Sequence, residues 1–440
     1  MSELRRYPDY KDSGVPWLGE IPSHWEAKAI KRISRIHRGA SPRPIADSKY
    51  FDDEGEYAWV RIADVTASDD YLLETTQRLS ELGASLSVKM QPDQIFLSIA
   101  GSVGKPIITK IKACIHDGFV YFPDWDQSTR FLYYIFASGK PYLGLGKLGT
   151  QLNLNTETVG SIKIGIPNLE EQQAIVNFLD TELEHIDTLI YRQQQLIEKL
   201  AEQRSAVITH AVTKGLDPDV PMKDSVVEWL GDIPEHCTIR SLKHSITYND
   251  ETLSDKTDPQ YEFEYVDISS VSLIDGITNK DRLTFDNSPS RARRIVKKGD
   301  VIVSTVRTYL KAIAQVEEDT DDLIVSTGFA VLRSKSELNS EYLGYWVQSE
   351  YMVNSIMSNS VGVSYPAINA TDLVRLPVIL FPIDEQREIV SFLKKETQKI
   401  DQMSEATKGI IAKLQEYRSA LITQAVTGKI DVRHINKKAS

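Results

Sequence analysis

The chain has little cysteine, no long apolar run, no excess of positive charge and no recognisable catalytic signature, and each lack narrows what it can be. Its 440 residues include two cysteines, Cys114 and Cys237, far apart and in no CxxC, so neither a zinc site nor a disulfide framework is indicated. No run of ~18 apolar residues occurs, and the opening MSELRRYPDYKDSG has no apolar signal core, so a cytoplasmic protein without a membrane segment is expected. GSVGK at residues 101–105 looks like a phosphate loop but is not one. Ile99 stands where such a loop needs glycine and Pro106 where it needs Ser or Thr, so a tight turn between two strands is expected. There is no H-E-x-x-H, no G-x-S-x-G and no strand-linked G-x-G-x-x-G. The histidines, among them His37, His116, His185, His210, His236 and His244, are scattered without partners at ligand spacing. We read no catalytic residue, metal site or cofactor site in the chain. The net charge of −11, taken alone, counts against a nucleic-acid binder.

What is present is a duplication. Residues 170–213 and 384–427 align without a gap at a shift of about 214 residues, matching Glu171 with Glu385, Asp187 with Asp401 and Arg204 with Arg418. Apolar residues recur at Ile175, Leu179, Leu183, Ile186, Ile190, Ile197 and Leu200, mostly at helical spacing, and Ile389, Leu393, Ile400, Ile411 and Leu414 keep the stripe in the second copy. Each segment follows a proline, Pro167 or Pro382, and opens with acids, as a helix N-terminus prefers. Patterns this long predict two helices that pair with one another as a coiled coil, the alternative being that each covers only its own globular domain. Gly409 is expected to interrupt the second helix.

A shared WLG motif opens each half of the chain, KDSGVPWLGEIPSHWE at 11–26 and KDSVVEWLGDIPEHCT at 223–238, with Cys237 in the place of Trp25. Between motif and helix lie two diverged blocks, roughly 25–167 and 238–381. Their short β-branched and aromatic runs (57–65, 94–99, 106–108 and 119–122; 263–268, 301–305, 323–325 and 329–332) predict strands, with helices near 129–137 and 340–349. Residues 214–221 read as a linker, and Gly428, Lys429, Ile430 and Asp431 resemble its beginning, so the repeat is nearly circular. The predicted fold class is α+β, with two mixed α/β domains separated by two long helices packed as an antiparallel coiled coil, in a pseudo-two-fold circular repeat. The predicted segments are 1–168, 169–214, 215–382 and 383–440.

The local sign of charge matters more than the total. Lys28, Lys31, Arg32, Arg35, Arg38 and Arg43 form one run without an acid among them, and Arg291, Arg293, Arg294, Lys297 and Lys298 a second cluster in the other block. Lys and Arg neutralise phosphates, and Arg also pairs bidentately with guanine. Further DNA-binding candidates on predicted loops are Arg61, Lys105, Lys147 and Gln151 in the first block, and Arg307, Lys311, Ser364 and Tyr365 in the second.

The motif WLGEIPSHWE with its repeat WLGDIPEH, the segment YAWVRIADV, the turn LSIAGSVGKPIIT and the stretch GTQLNLNTETVGSIKIGIPNLEEQQAIVNFL resemble the specificity subunits of type I restriction-modification enzymes along nearly the whole chain. The resemblance implies a non-catalytic, sequence-specific DNA-binding subunit with two target-recognition domains, each reading one half of a bipartite site in double-stranded DNA. It implies helices that set the gap and dock two modification (methyltransferase) subunits, joined by restriction/translocase subunits. S-adenosylmethionine, ATP and Mg would sit on those partners, none on this chain, and no membrane is involved. Two other readings stay open: an enzyme with its own methyltransferase or nuclease activity, and a coiled-coil scaffold that binds only protein.

Overall fold

Both long helices form where the apolar periodicity places them. The first runs over Leu169–Lys214 and the second over Ile383–Val426, each with two acids in its first turn beside the positive end of the helix dipole. Gly409 does not interrupt the second helix. The helix passes through it with open space at its side, at the ~1 kcal/mol that glycine costs relative to alanine in a helix interior.

The computed structural model describes residues 5–145, 154–319 and 322–435. It divides into two compact units, residues 1–192 with 410–440, and residues 193–409. Each unit therefore holds one globular head and one half of each long helix. Among the described residues, no helix is long and apolar enough to cross a membrane.

In the first unit a five-stranded sheet has the order His37–Arg38, Phe119–Tyr121, Ile95–Ser98, Pro106–Thr109, Tyr71–Leu72, and a four-stranded sheet the order Arg78–Leu79, Tyr57–Val60, Ala113–Ile115, Val88–Met90. The second unit repeats the plan. One four-stranded sheet runs Ile246–Tyr248, Phe329–Ser334, Val301–Ser304, Ile313–Gln315, and another runs Asp281–Thr284, Glu262–Val266, Leu323–Ser326, Ala292–Ile295. Each head has one matching parallel pair, Ala113–Ile115 with Tyr57–Val60 and Leu323–Ser326 with Glu262–Val266. The central strands are buried throughout, so they read as continuous apolar runs rather than alternating ones. The run 57–65 departs from the expectation of a single strand. The strand ends at Val60, and Ile62–Ala67 is helical, because the Asp64 carboxylate accepts the Arg61 N–H at 2.9 Å and starts a turn there.

Each head is bolted to its long helix by the same two side chains. Buried Gln172 accepts from the Ser128 N–H at 3.0 Å, at the start of the helix Thr129–Ala137, and donates to Pro167 O at 2.9 Å. Buried Gln386 accepts from the Asn339 N–H at 2.8 Å, before Ser340–Gln348, and donates to Phe381 O at 2.8 Å and Glu337 O at 3.0 Å. The preceding glutamates hold the WLG motifs: Glu171 bonds His24 at 2.9 Å and the Trp25 indole at 3.0 Å, and Glu385 bonds His236 at 2.8 Å.

The helix segments inside each unit run antiparallel. In the first, Glu171 and Gly428 both meet Trp25, while Asp187 pairs with Arg418 at 2.9 Å; Leu179, Leu183 and Ile186 share a core with Leu421, Ile422 and Ala425. In the second, Gly215 lies against Phe381, while Arg204 pairs with Asp401 at 3.2 Å. The two ion pairs join equivalent positions of the repeat. The circular arrangement is visible as well. Asp431 N–H donates to Arg5 O at 2.7 Å, and Lys429 bonds Glu20 O in the first WLG motif, as Lys214 of the linker bonds Asp232 O in the second.

One contact has changed sign between the copies. Arg130 pairs with Asp180 at 2.9 Å beneath the rings of Tyr71, Tyr133 and Tyr134, whereas the equivalent pair is Glu341 with Lys394 at 2.5 Å. Gly344 stands where Tyr133 does in the first copy, and a cleft of about 680 Å³ opens there.

Candidate nucleic-acid interface

Part of each candidate set gathers at one end of the strands of its head. In the first unit, Ile95–Ser98 and Pro106–Thr109 are joined by the turn 101–105, a strand connection and not a phosphate loop. Gly101 and Gly104 have φ of +66° and +87°, and a Cβ on Gly101 would lie 2.5 Å from Ile62 Cγ2. The Lys105 ammonium donates to Thr66 O at 3.2 Å and Ser68 O at 2.5 Å, closing the C-terminus of the helix Ile62–Ala67. Beside this turn lies a second one, since Ile99 N–H donates to Gly118 O at 2.8 Å. Arg38 donates to Asp117 O there, and Arg43 reaches the Asp117 carboxylate at 3.3 Å. Burial holds the His116 imidazole below its ordinary value. Arg61 bonds Asp64 at 3.4 Å and also Thr76. Arg38, Arg43, Arg61 and Lys105 thus border one loop end, with Arg43 the most exposed of the paired arginines there at 78%.

The rest of that run does not join them. Arg35 lies beyond the opposite end of the strand Phe119–Tyr121, paired with Asp124 at 2.5 and 2.8 Å, and this arginine pulls the Asp124 carboxyl down to about 2. Lys31 and Arg32 are exposed in the turn Ile30–Arg32. Lys28 pairs with Glu26 of its own strand. Lys147 and Gln151 lie outside the described residues.

In the second unit the corresponding end is built from residues 305–311, 327–328 and 359–367. Thr305 N–H donates to Gly328 O, Thr327 N–H to Arg291 O, and Ile368 N–H to Thr305 O, at 2.8, 2.8 and 2.9 Å. Val361 and Ala367 exchange bonds of 2.8 and 3.0 Å, closing a loop whose residues 361–365 are all exposed. Arg307 stacks on Tyr365 at 5.0 Å, an arrangement that also suits a nucleobase face or a phosphate. Arg307 and Lys311 have φ of +51° and +50°, a left-handed conformation that side chains other than glycine adopt at a cost. The position of Arg307 is the one that Gly101 fills in the first copy. Arg291 belongs here too, held by Asp267 at 2.7 Å.

Arg293, Arg294, Lys297 and Lys298 run away from this end. Arg293 covers the Phe285 ring at 4.6 Å, Arg294 is half-buried with its pKa lowered by desolvation, and Lys297 pairs with Glu251 at 2.5 Å. Among the described residues, Lys31, Arg32, Lys298 and Lys311 have no hydrogen-bonded or ion-paired side-chain partner. The sequence reading missed the acids Asp117, Asp124, Glu251 and Asp267 that neutralise its basic runs, because they lie in connections 24 to 89 residues away in the chain. It also missed Tyr309, Leu310, Val361 and Val363, which are 50, 46, 81 and 102% exposed around Arg307. The signal available was the mismatch of Gly101 with Arg307 inside an otherwise matching repeat.

The chain matches the model of the type I restriction modification DNA specificity domain twice, over residues 22–199 and 248–416. It is 21% identical over 429 residues to the type I restriction enzyme EcoDI specificity subunit of Escherichia coli, covering 94% of this chain and 90% of that one. It is 22% identical over 455 residues to the type I restriction enzyme MjaIX specificity subunit of Methanocaldococcus jannaschii, covering 99% of each. A solved chain from work on complex assembly and conformational transition of the type I R-M system shares the fold at a TM-score of 0.69 and 14% identity, over 93% of this chain and 99% of that one. With both copies of the repeat matched across most of its length, the chain belongs to the type I restriction modification DNA specificity family.

Proposed function

We propose that the chain is the non-catalytic specificity subunit of a cytoplasmic type I restriction-modification complex. Each head reads one half of a bipartite site in duplex DNA, through the loop ends that carry Arg38, Arg43 and Arg61 in the first unit and Arg291, Arg307 and Lys311 in the second. The long helices fix the gap and dock two modification subunits, and restriction/translocase subunits join that assembly. Methyl transfer and cleavage, with S-adenosylmethionine, ATP and Mg, belong to the partners. The observation that carries this reading is the contrast within the repeat. The junctions (Gln172 and Gln386, Asp187–Arg418 and Asp401–Arg204) are duplicated, while the loop ends differ in charge, with Arg61 answered by Asp267 and Gly101 by Arg307. Two reading surfaces on one duplicated frame suit a site whose halves differ and whose spacing is constant.

The test is to map methylated adenines in DNA modified by the complete complex, then to exchange residues 25–167 for the block of a relative. One half-site changes and the other stays; a change in both refutes the division of labour. Spacing is tested by lengthening both helices equally, near Gln193 and near Thr407, so that the Asp187–Arg418 and Arg204–Asp401 pairs both survive. One added turn at about 1.5 Å per residue corresponds to roughly one or two base pairs at about 3.4 Å each. A gap that does not move refutes the helices as its ruler.

A further inference from the structure

The loop 361–365 of the second unit presents apolar side chains where a solvated turn would present polar ones. Val361 is 81%, Val363 102% and Tyr365 66% exposed, and the closing bonds between Val361 and Ala367 keep them from folding back. The Thr308 and Ser360 hydroxyls bond at 2.8 Å and fasten this loop to residues 305–311. Neither 305–311 nor 359–369 contains an acid, and of the two basic residues in them, Arg307 and Lys311, Arg307 lies against Tyr365 of the loop. The acid at this end, Asp267, is paired with Arg291 at 2.7 Å, so the unpaired charge beside the apolar loop is basic, which fits a groove edge between phosphates.

Valine has no donor or acceptor, so it discriminates among base pairs only by apolar contact. The apolar group displayed on base edges is the thymine C5-methyl in the major groove. A wedge between base steps calls for a longer side chain or proline, and valine at the tip of a short loop is neither. In the first copy the aligned positions are Lys147, Gly149 and Gln151 in place of Val361, Val363 and Tyr365, so the feature belongs to one head.

We propose that Val363, supported by Val361, reads a thymine through its C5-methyl group in the half-site recognised by the second unit. This rests on the reading of that unit as a DNA-binding head. In the complete complex on its mapped site, each thymine of both half-sites is replaced singly by deoxyuridine, and binding is measured by fluorescence anisotropy. Loss of one buried methyl contact weakens binding about three- to fivefold at one position of that half-site and at none contacted by the first unit. Val363→Ser weakens binding to the thymine duplex and brings the thymine/uracil ratio at that position to about one. A half-site without any methyl-sensitive thymine overturns the proposal while leaving DNA reading intact, as does a ratio that Val363→Ser does not change. A complex that binds no duplex overturns both.

Discussion

Arg307 offers a case in which stability and binding separate. Its backbone sits at φ +51°, where a side chain costs ~1–2 kcal/mol. Glycine removes that strain but returns ~0.5–1 kcal/mol through the greater freedom of the unfolded chain. Arg307→Ala and Arg307→Gly both lose the stack on Tyr365 at 5.0 Å, worth ~0.5–1 kcal/mol at an exposed site. Alanine keeps the strain and loses the stack; glycine loses both. The glycine variant is therefore more stable than the alanine variant by ~0.5–1 kcal/mol, a difference of ~1–4 °C in melting temperature for a unit of this size. The guanidinium is missing from both, so their DNA affinities fall together. The salt slope drops by ~0.9 if the group neutralises a phosphate, or discrimination at one base pair falls by ~1–3 kcal/mol if it pairs with guanine. Calorimetry and anisotropy titrations over a range of salt, both on the complete complex, read the two effects. An alanine variant that melts at or above the glycine variant refutes the strain argument, and wild-type affinity and slope in both variants remove Arg307 from the interface.

Val226 is a β-branched residue at φ +60° and 90% exposed, where the first WLG motif has Gly14 at +64°; Val226→Gly raises stability by ~0.5–1 kcal/mol, and a lower melting temperature would contradict the strain. Gln386→Leu leaves the buried Phe381 carbonyl and the half-buried Asn339 N–H and Glu337 carbonyl without their partner, a loss of ~1–3 kcal/mol; denaturant unfolding that shows less than ~1 kcal/mol would mean the clamp is not needed. Burial pushes the Cys114 and Cys237 thiols up to about 11 and about 12, so a thiol reagent at pH 8 labels neither in the native chain and both after denaturation. Native labelling would show that these sites open.

How much of this was legible follows the range of the interactions. The long helices were read to within a residue or two, 170–213 against Leu169–Lys214 and 384–427 against Ile383–Val426, because a 3.6-residue pattern sustained that long has no competing template. The head helix Thr129–Ala137 was legible as well. The run 57–65 was not, since its apolar residues suit a strand or a helix, and the capping contact of Asp64 decides it. The candidate site was half legible. Arg38, Arg43, Arg61 and Lys105 do share one end of the first head, but the run containing Arg38 splits at the strand His37–Arg38 and sends Arg35 to Asp124. An acid-free run in sequence says nothing of an acid 89 residues away.

The repeat also shows which differences the fold has absorbed and which it has not. In the first unit the Trp25 ring lies over Gly165, where a Cβ would come within 2.9 Å of it. In the second, Cys237 replaces the tryptophan and Ile379 the glycine, both buried, and Tyr342, in the place of Phe131, sends its hydroxyl to Ile379 O and Val212 O at 2.9 and 3.0 Å. Volume removed at one position returns at its neighbour, which keeps the packing close. The Arg130–Asp180 and Glu341–Lys394 pairs reverse sign together in the same way. At the loop end no such repair is visible. Arg307 keeps the left-handed backbone that suits Gly101, and Val361 and Val363 stay uncovered. The ~0.5–1 kcal/mol of the Tyr365 stack does not exceed the ~1–2 kcal/mol of backbone strain at Arg307, and exposed valines add nothing, which is the pattern expected where a bound molecule, not the isolated fold, uses the surface. This favours the proposed reading surface at 305–311 and 359–367 over the arginine-rich strand Ala292–Ile295, whose charges are half-buried and engaged within the head.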